Sequence, residues 1–108
     1  MLAPADCRTK EDIRAEIDRI DRQIVPLLAE RFGYIKRMAE LKGSPSEARV
    51  QARVDAVLDH VAKLAEEAGL DPDLARELWA HLIEWNEAYE ARVIAARLAG
   101  AAQSASSR

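Results

Sequence analysis

Arg14, Arg31 and Lys42 fall where a helix-packing seam ought to be apolar. From Asp12 to Lys42, apolar residues recur at Ile13, Ile17, Ile20, Ile24, Leu27, Leu28, Phe32, Ile35, Met38 and Leu41, which is the period of one long helix. At the ~3.5-residue repeat of packed helices, Ile17, Ile24, Arg31 and Met38 share one phase. Arg14, Asp21, Leu28, Ile35 and Lys42 share the neighbouring phase, so the three cations lie on or beside the buried face. Charge removed from water costs free energy unless an opposite charge meets it. Asp21 is the one acid in those two phases, so the pattern calls for a bound anion.

Three further side chains could join that chemistry. Arg53 lies beside the Val50, Val54, Val57 stripe of a second helical stretch. Asn86 and Glu90 stand in line with Trp79, Ile83 and Ile94 on a third. A carboxyl such as Glu90, set against apolar walls, can donate a hydrogen bond in its protonated form as well as accept one. Several cations and one such donor suit a small polycarboxylate that carries an electronegative oxygen. Each residue also has a plainer reading. Arg14 and Arg31 could lay their stems over the seam or fix its register. Lys42 could serve the carbonyls at a helix end. Glu90 could pair with Arg92 or Arg97, Arg53 could be an ordinary exposed residue, and Asn86 could be structural.

Composition limits the remaining possibilities. A chain of 108 residues is one domain's worth, and a sequence 49% hydrophobic and 32% charged, with four Gly and four Pro, points to an all-α protein. A net charge of -3 argues against a nucleic-acid partner, since phosphate-backbone binders carry a basic face. One cysteine, Cys7, supplies neither a disulfide framework nor a metal site and suits a cytoplasmic setting. His60 and His81 have no ligand-spaced partner, so no metal is expected. No run approaches the ~18 apolar residues of a membrane span, so no membrane is expected either.

The elements that must position these side chains are three. After a short arm over 1–10, Thr9 or Asp12 can cap the first helix, and Pro26 should bend it without breaking it. Gly43 to Glu47 is a loop in which Ser44, Pro45 and Glu47 have capping-box spacing, opening a second helix that ends at Gly69. Asp71-Pro72 opens the third by the same cap-then-proline logic. The domain should occupy 1–100, with 101–108 a disordered tail. A first helix of some thirty residues is a rod of ~45 Å, too long for two shorter helices to cover compactly. An intertwined homodimer, in which long helices cross or pair, solves this. Arg14 and Arg31 are ~25 Å apart on such a rod and cannot grip one small anion within a chain, whereas Arg31 and Lys42, ~16 Å apart, can lean toward a shared point. An antiparallel partner helix would bring its own Arg14 there, giving active sites shared between chains.

Taken together, Asp6-Cys7, Asp12-Ile13-Arg14, Ile17-Asp18-Arg19-Ile20-Asp21, Ile24-Val25, Leu28, Arg31, Tyr34, Ala39 and Lys42 resemble the all-α chorismate mutases. The likeness continues through Arg53, Ala65-Glu66, Gly69-Leu70 and Leu82-Ile83-Glu84, covering nearly the whole chain. Within that superfamily the chain is especially similar to the isochorismate pyruvate lyases. The resemblance implies a three-helix subunit, a dimer with two sites and no cofactor. It assigns Arg14 of one chain and Arg31 of the other to the substrate's carboxylates. It gives Lys42 a carboxylate and the ether oxygen, Glu90 the other side of that oxygen, Arg53 a supporting place and Asn86 a polar place near one carboxylate.

Two departures from the mutase pattern bear on substrate. Position 90 is commonly Gln in the class and is Glu here. Val50 and Val54 stand where many mutases carry acids that meet the ring hydroxyl, and the lyases also lack those acids. The missing acids weaken the case for chorismate and favour the lyase; the expected function is nonetheless rearrangement of chorismate to prephenate, with isochorismate pyruvate lyase activity as the alternative. A non-catalytic helical dimer that binds a small carboxylate is the further alternative.

Overall fold

A computed structural model describes residues 1–106, and every regular element among them is helical. The three long helices are α1 (Lys10–Leu41), α2 (Gln51–Ala68) and α3 (Pro72–Ser106), with 3-10 turns at Pro4–Asp6 and Pro45–Ala48. The all-α, three-helix expectation holds. Helix α3 includes residues 101–106, and residues 107–108 of the expected tail lie outside the described ones. No described helix is long and apolar enough to cross a membrane.

The chain divides into two compact units, the first being Met1–Tyr34 and the second starting at Ile35. In the first, Thr9 and Asp12 cap α1 reciprocally. Asp12 N–H donates to Thr9 Oγ1 at 3.0 Å, and the N–H groups of Arg8 and Thr9 donate to Asp12 Oδ2 at 3.0 and 3.3 Å. The helix runs uninterrupted through Pro26. Glu16 is tied down by Arg19 Nε, which donates at 2.7 Å, and by the backbone of Leu2; both hold its carboxyl below the ordinary 4.5. The apolar stripe of this stretch is unpartnered. Ile13, Ile17, Ile20, Ile24, Val25, Leu27 and Leu28 are each at least 40% exposed.

In the second unit, α2 and α3 pack through Val61, Ala65 and Ala75, with Val57 and Trp79 alongside. Small side chains at that contact let the two backbones approach closely. Gly69 terminates α2 at φ 77, a left-handed conformation that a Cβ disfavours. Leu70 N–H then donates back to Ala65 O at 2.8 Å. Asp71 Oδ1 accepts from Asp73 N–H at 2.8 Å and opens α3.

One boundary differs from expectation. The Ser44/Glu47 capping box forms, but it closes only the 3-10 turn Pro45–Ala48. Arg49 and Val50 are extended, and α2 starts afresh at Gln51. The cause is partly local and partly long-range: Val50 is β-branched and favours extended backbone, and Arg49 is drawn sideways to Gln51 and to Glu87 on α3.

Candidate active site

Along α3, Ile83, Asn86, Glu90 and Ile94 recur at steps of three and four and form a buried stripe. Two of its four members are polar, each only 4% exposed. A carboxyl in such a place needs a counter-charge. Lys42, the residue just past the end of α1, supplies it: its Nζ stands 2.9 Å from Glu90 Oε1. The approach lies off the hydrogen-bond directions of Oε1, which is buried and has no aligned donor. The contact is therefore an ion pair with unused hydrogen-bonding capacity.

The plainer readings of these residues are taken up by others. Arg97 serves the carbonyls that end α1. Its Nη1 donates to Ala39 O at 2.7 Å and Glu40 O at 2.8 Å, and its Nη2 donates to Lys42 O. The Lys42 ammonium is thus left for Glu90. Arg92 lies over the Tyr89 ring, 5.8 Å from its centroid, and not on Glu90.

A second acid lies one turn back on α3. Glu87 Oε2 accepts from Arg49 Nη1 at 2.8 Å, while its Oε1 is buried without a hydrogen-bond partner. Arg49 thereby joins the start of α2 to α3.

Of the residues singled out from sequence, Lys42, Glu90 and Asn86 fall in the second unit and are largely or partly removed from water. Arg53 is in the same unit, exposed on the first turn of α2. Arg14 and Arg31 belong to the first unit, Arg14 exposed and Arg31 half-buried. Val54 is buried and Val50, at the N-cap of α2, is half exposed, so neither offers a polar group to a ligand. Sequence reasoning missed Arg97 and the Arg49–Glu87 pair. The continuation of the three-and-four spacing from Glu90 and Ile94 to Arg97 was the available signal for the first.

A partly buried ammonium facing a buried carboxyl, with an amide on the same helix face as that carboxyl, can hold an anionic oxygen and hydrogen-bond a neutral one. These are the requirements of electrostatic catalysis on an ether-bearing carboxylate.

The fold and this residue set define a family. The chain belongs to the chorismate mutase type II family, whose model matches residues 13–91. It is 41% identical over 85 residues to an isochorismate pyruvate lyase of Pseudomonas aeruginosa, covering 79% of this chain and 84% of that protein. It is 33% identical over 82 residues to a chorismate mutase of Methanocaldococcus jannaschii, covering 73% of this chain and 81% of that protein.

Proposed function

We propose that the protein is a cofactor-free cytoplasmic enzyme that rearranges chorismate to prephenate, acting as a homodimer with sites shared between chains. The Lys42–Glu90 pair is the observation that carries this reading, because it sets an ammonium and a potential proton donor side by side, where both can turn to one incoming oxygen. The rearrangement breaks an ether C–O bond while a C–C bond forms, in one cyclic movement of electrons. It needs no nucleophile, metal or proton abstraction. What it needs is a folded substrate and stabilisation of the negative charge growing on the ether oxygen.

In this reading Lys42 and protonated Glu90 meet that oxygen. Arg31, with Arg14 of the second chain, holds the two carboxylates; Arg53 and Asn86 support them. The exposed apolar stripe of α1 supports the dimer, since a face of seven large aliphatic residues is a natural partner for its own copy.

A second reading has its own support. The apolar side chains of Val50 and Val54 leave no acid for a ring hydroxyl, and the Pseudomonas aeruginosa relative is named a lyase. Isochorismate pyruvate lyase chemistry also begins by loosening an ether bond, so the same residues serve it. Incubating the pure protein separately with chorismate and with isochorismate, and following ultraviolet absorbance, separates the readings. Prephenate from chorismate supports the mutase, and salicylate with pyruvate from isochorismate supports the lyase. Turnover of neither leaves a non-catalytic carboxylate-binding dimer.

A further inference from the structure

We propose that Arg97 is the positioning residue for Lys42. Its guanidinium clamps the carbonyls that end α1 and thereby fixes the backbone from which the Lys42 ammonium reaches Glu90. The proposal rests on the reading of Lys42 as a catalytic residue.

The last carbonyls of any helix lack intrahelical donors. At the end of α2 a left-handed glycine solves this, and Gly69 is the only described residue with positive φ. Gly43, which follows α1, does not take that conformation. The two N–H groups that would continue the α1 ladder are engaged elsewhere. Gly43 N–H, in line for Ala39 O, donates instead to Glu47 Oε2 at 2.5 Å. Ser44 N–H, in line for Glu40 O, donates to the same oxygen at 3.1 Å.

Ala39 has no exposed surface with Arg97 in place, so its carbonyl depends on a protein donor there. Arg97 fills the gap at Ala39 and Glu40 and takes the carbonyl of Lys42 as well. Lys42 N–H is held by Met38 O at 3.0 Å. Both backbone polar groups of the candidate catalytic lysine are therefore anchored, one by its own helix and one by α3.

The clamp sits where it can set a distance. Arg97 follows Glu90 by seven residues, two turns along the same face of α3, or ~10.5 Å. One helix thus carries both the charge that faces Lys42 and the fork that holds its backbone. The fork suits an arginine. A lysine ammonium is a point donor on a flexible stem and cannot span three carbonyls in a fixed plane. Arg97 also lies beyond residues 13–91, the segment the family model matches.

The test compares R97A, R97K, K42A and the double variant R97A/K42A in the full chain, using whichever of chorismate or isochorismate the wild type consumes. The proposal expects R97A to lower kcat by ~10–100-fold, as a displacement of about 1 Å at a catalytic group does. It expects R97K to recover only part of that loss. The double variant should be no slower than K42A, because Arg97 acts through Lys42. Additive losses, or full activity in R97A, overturn the proposal. Hydrogen exchange at the amides of Lys42, Gly43 and Ser44 tests the clamp without any substrate. R97A and R97K should accelerate exchange there while amides in the middle of α2 stay protected. Unchanged exchange overturns the clamp; accelerated exchange in a protein that consumes neither substrate keeps the clamp and refutes the enzymatic reading.

Discussion

Lys42 Nζ and Glu90 Oε1 meet at 2.9 Å, with the glutamate side chain 6% exposed and the lysine 19%. They come from segments 48 positions apart in sequence. The pair joins the end of α1 to the middle of α3 at a level where α3 is otherwise lined by Ile83 and Ile94. An ion pair so far from water contributes little net stability, because desolvation offsets attraction. In the proposed function the pair matters through use: both groups turn to a substrate that arrives later. If the proposed reaction holds, Lys42 and a protonated Glu90 act together on the substrate's ether oxygen.

Glu90→Gln tests that coupling. Gln donates a hydrogen bond at any pH and removes the negative charge facing Lys42. Wild-type kcat/KM should rise as the solution becomes more acidic, by up to about tenfold per pH unit for a single required proton. In the variant the profile should flatten across the same range. A variant whose pH profile matches the wild type removes Glu90 from the mechanism.

Gly69→Ala tests what ends α2. Nothing lies within 4 Å of a Cβ built at Gly69, so the substitution meets no clash and only the left-handed backbone resists it. That conformation costs an alanine about 1–2 kcal/mol. For a domain of this size, thermal denaturation followed by circular dichroism should show Tm lower by about 4–8 °C for each kcal/mol. An unchanged Tm would mean the turn relaxes to another conformation at no cost.

The residues of the fold were legible wherever the signal was local. Thr9 with Asp12, Gly69, and Asp71 ahead of Pro72 mark helix ends through contacts spanning four positions or fewer, and the structure realises each. The Ser44 capping box was also legible, but its extent was not. Whether the turn runs on into α2 depends on Arg49 reaching Glu87, 38 positions away. The site divides in the same manner. The periodicity of α3 placed Asn86 and Glu90 on a buried face. That Lys42 and not Arg92 or Arg97 meets Glu90 required knowing how the end of α1 lies on α3. Arg97 stayed hidden because a long-range cap leaves no mark in the sequence around the carbonyls it serves.

Glu16 anchors the N-terminal arm, and its depressed carboxyl gives a pH signature. Arg19 is the first cause of the depression and the Leu2 backbone the second. Because the folded-state value lies below the unfolded one, the stabilisation is fully present above the ordinary 4.5 and fades as pH falls through the lowered value. The amide proton of Leu2, followed by NMR, should titrate with a midpoint below 4.5. In Glu16→Gln that titration should vanish. A Leu2 midpoint at or above the ordinary value would show that the arm is not held by this carboxylate.

The shared-site dimer makes the most demanding prediction. Arg14 lies in the first compact unit and Lys42 in the second, and the apolar stripe between Ile13 and Leu28 is open to a partner. If Arg14 of one chain completes the site that Lys42 of the other begins, Arg14→Ala and Lys42→Ala homodimers should each lose at least ~100-fold in kcat/KM, the scale of removing one charge-stabilising donor. Mixing the two inactive proteins and allowing subunits to exchange places both lesions in one site and leaves the other intact. A statistical mixture is half heterodimer, so activity should return to about one quarter of the wild-type level per chain. Native mass spectrometry, with one variant isotopically labelled, confirms that mixed dimers have formed. Mixed dimers without recovered activity would mean that Arg14 of one chain does not complete the site that Lys42 of the other begins.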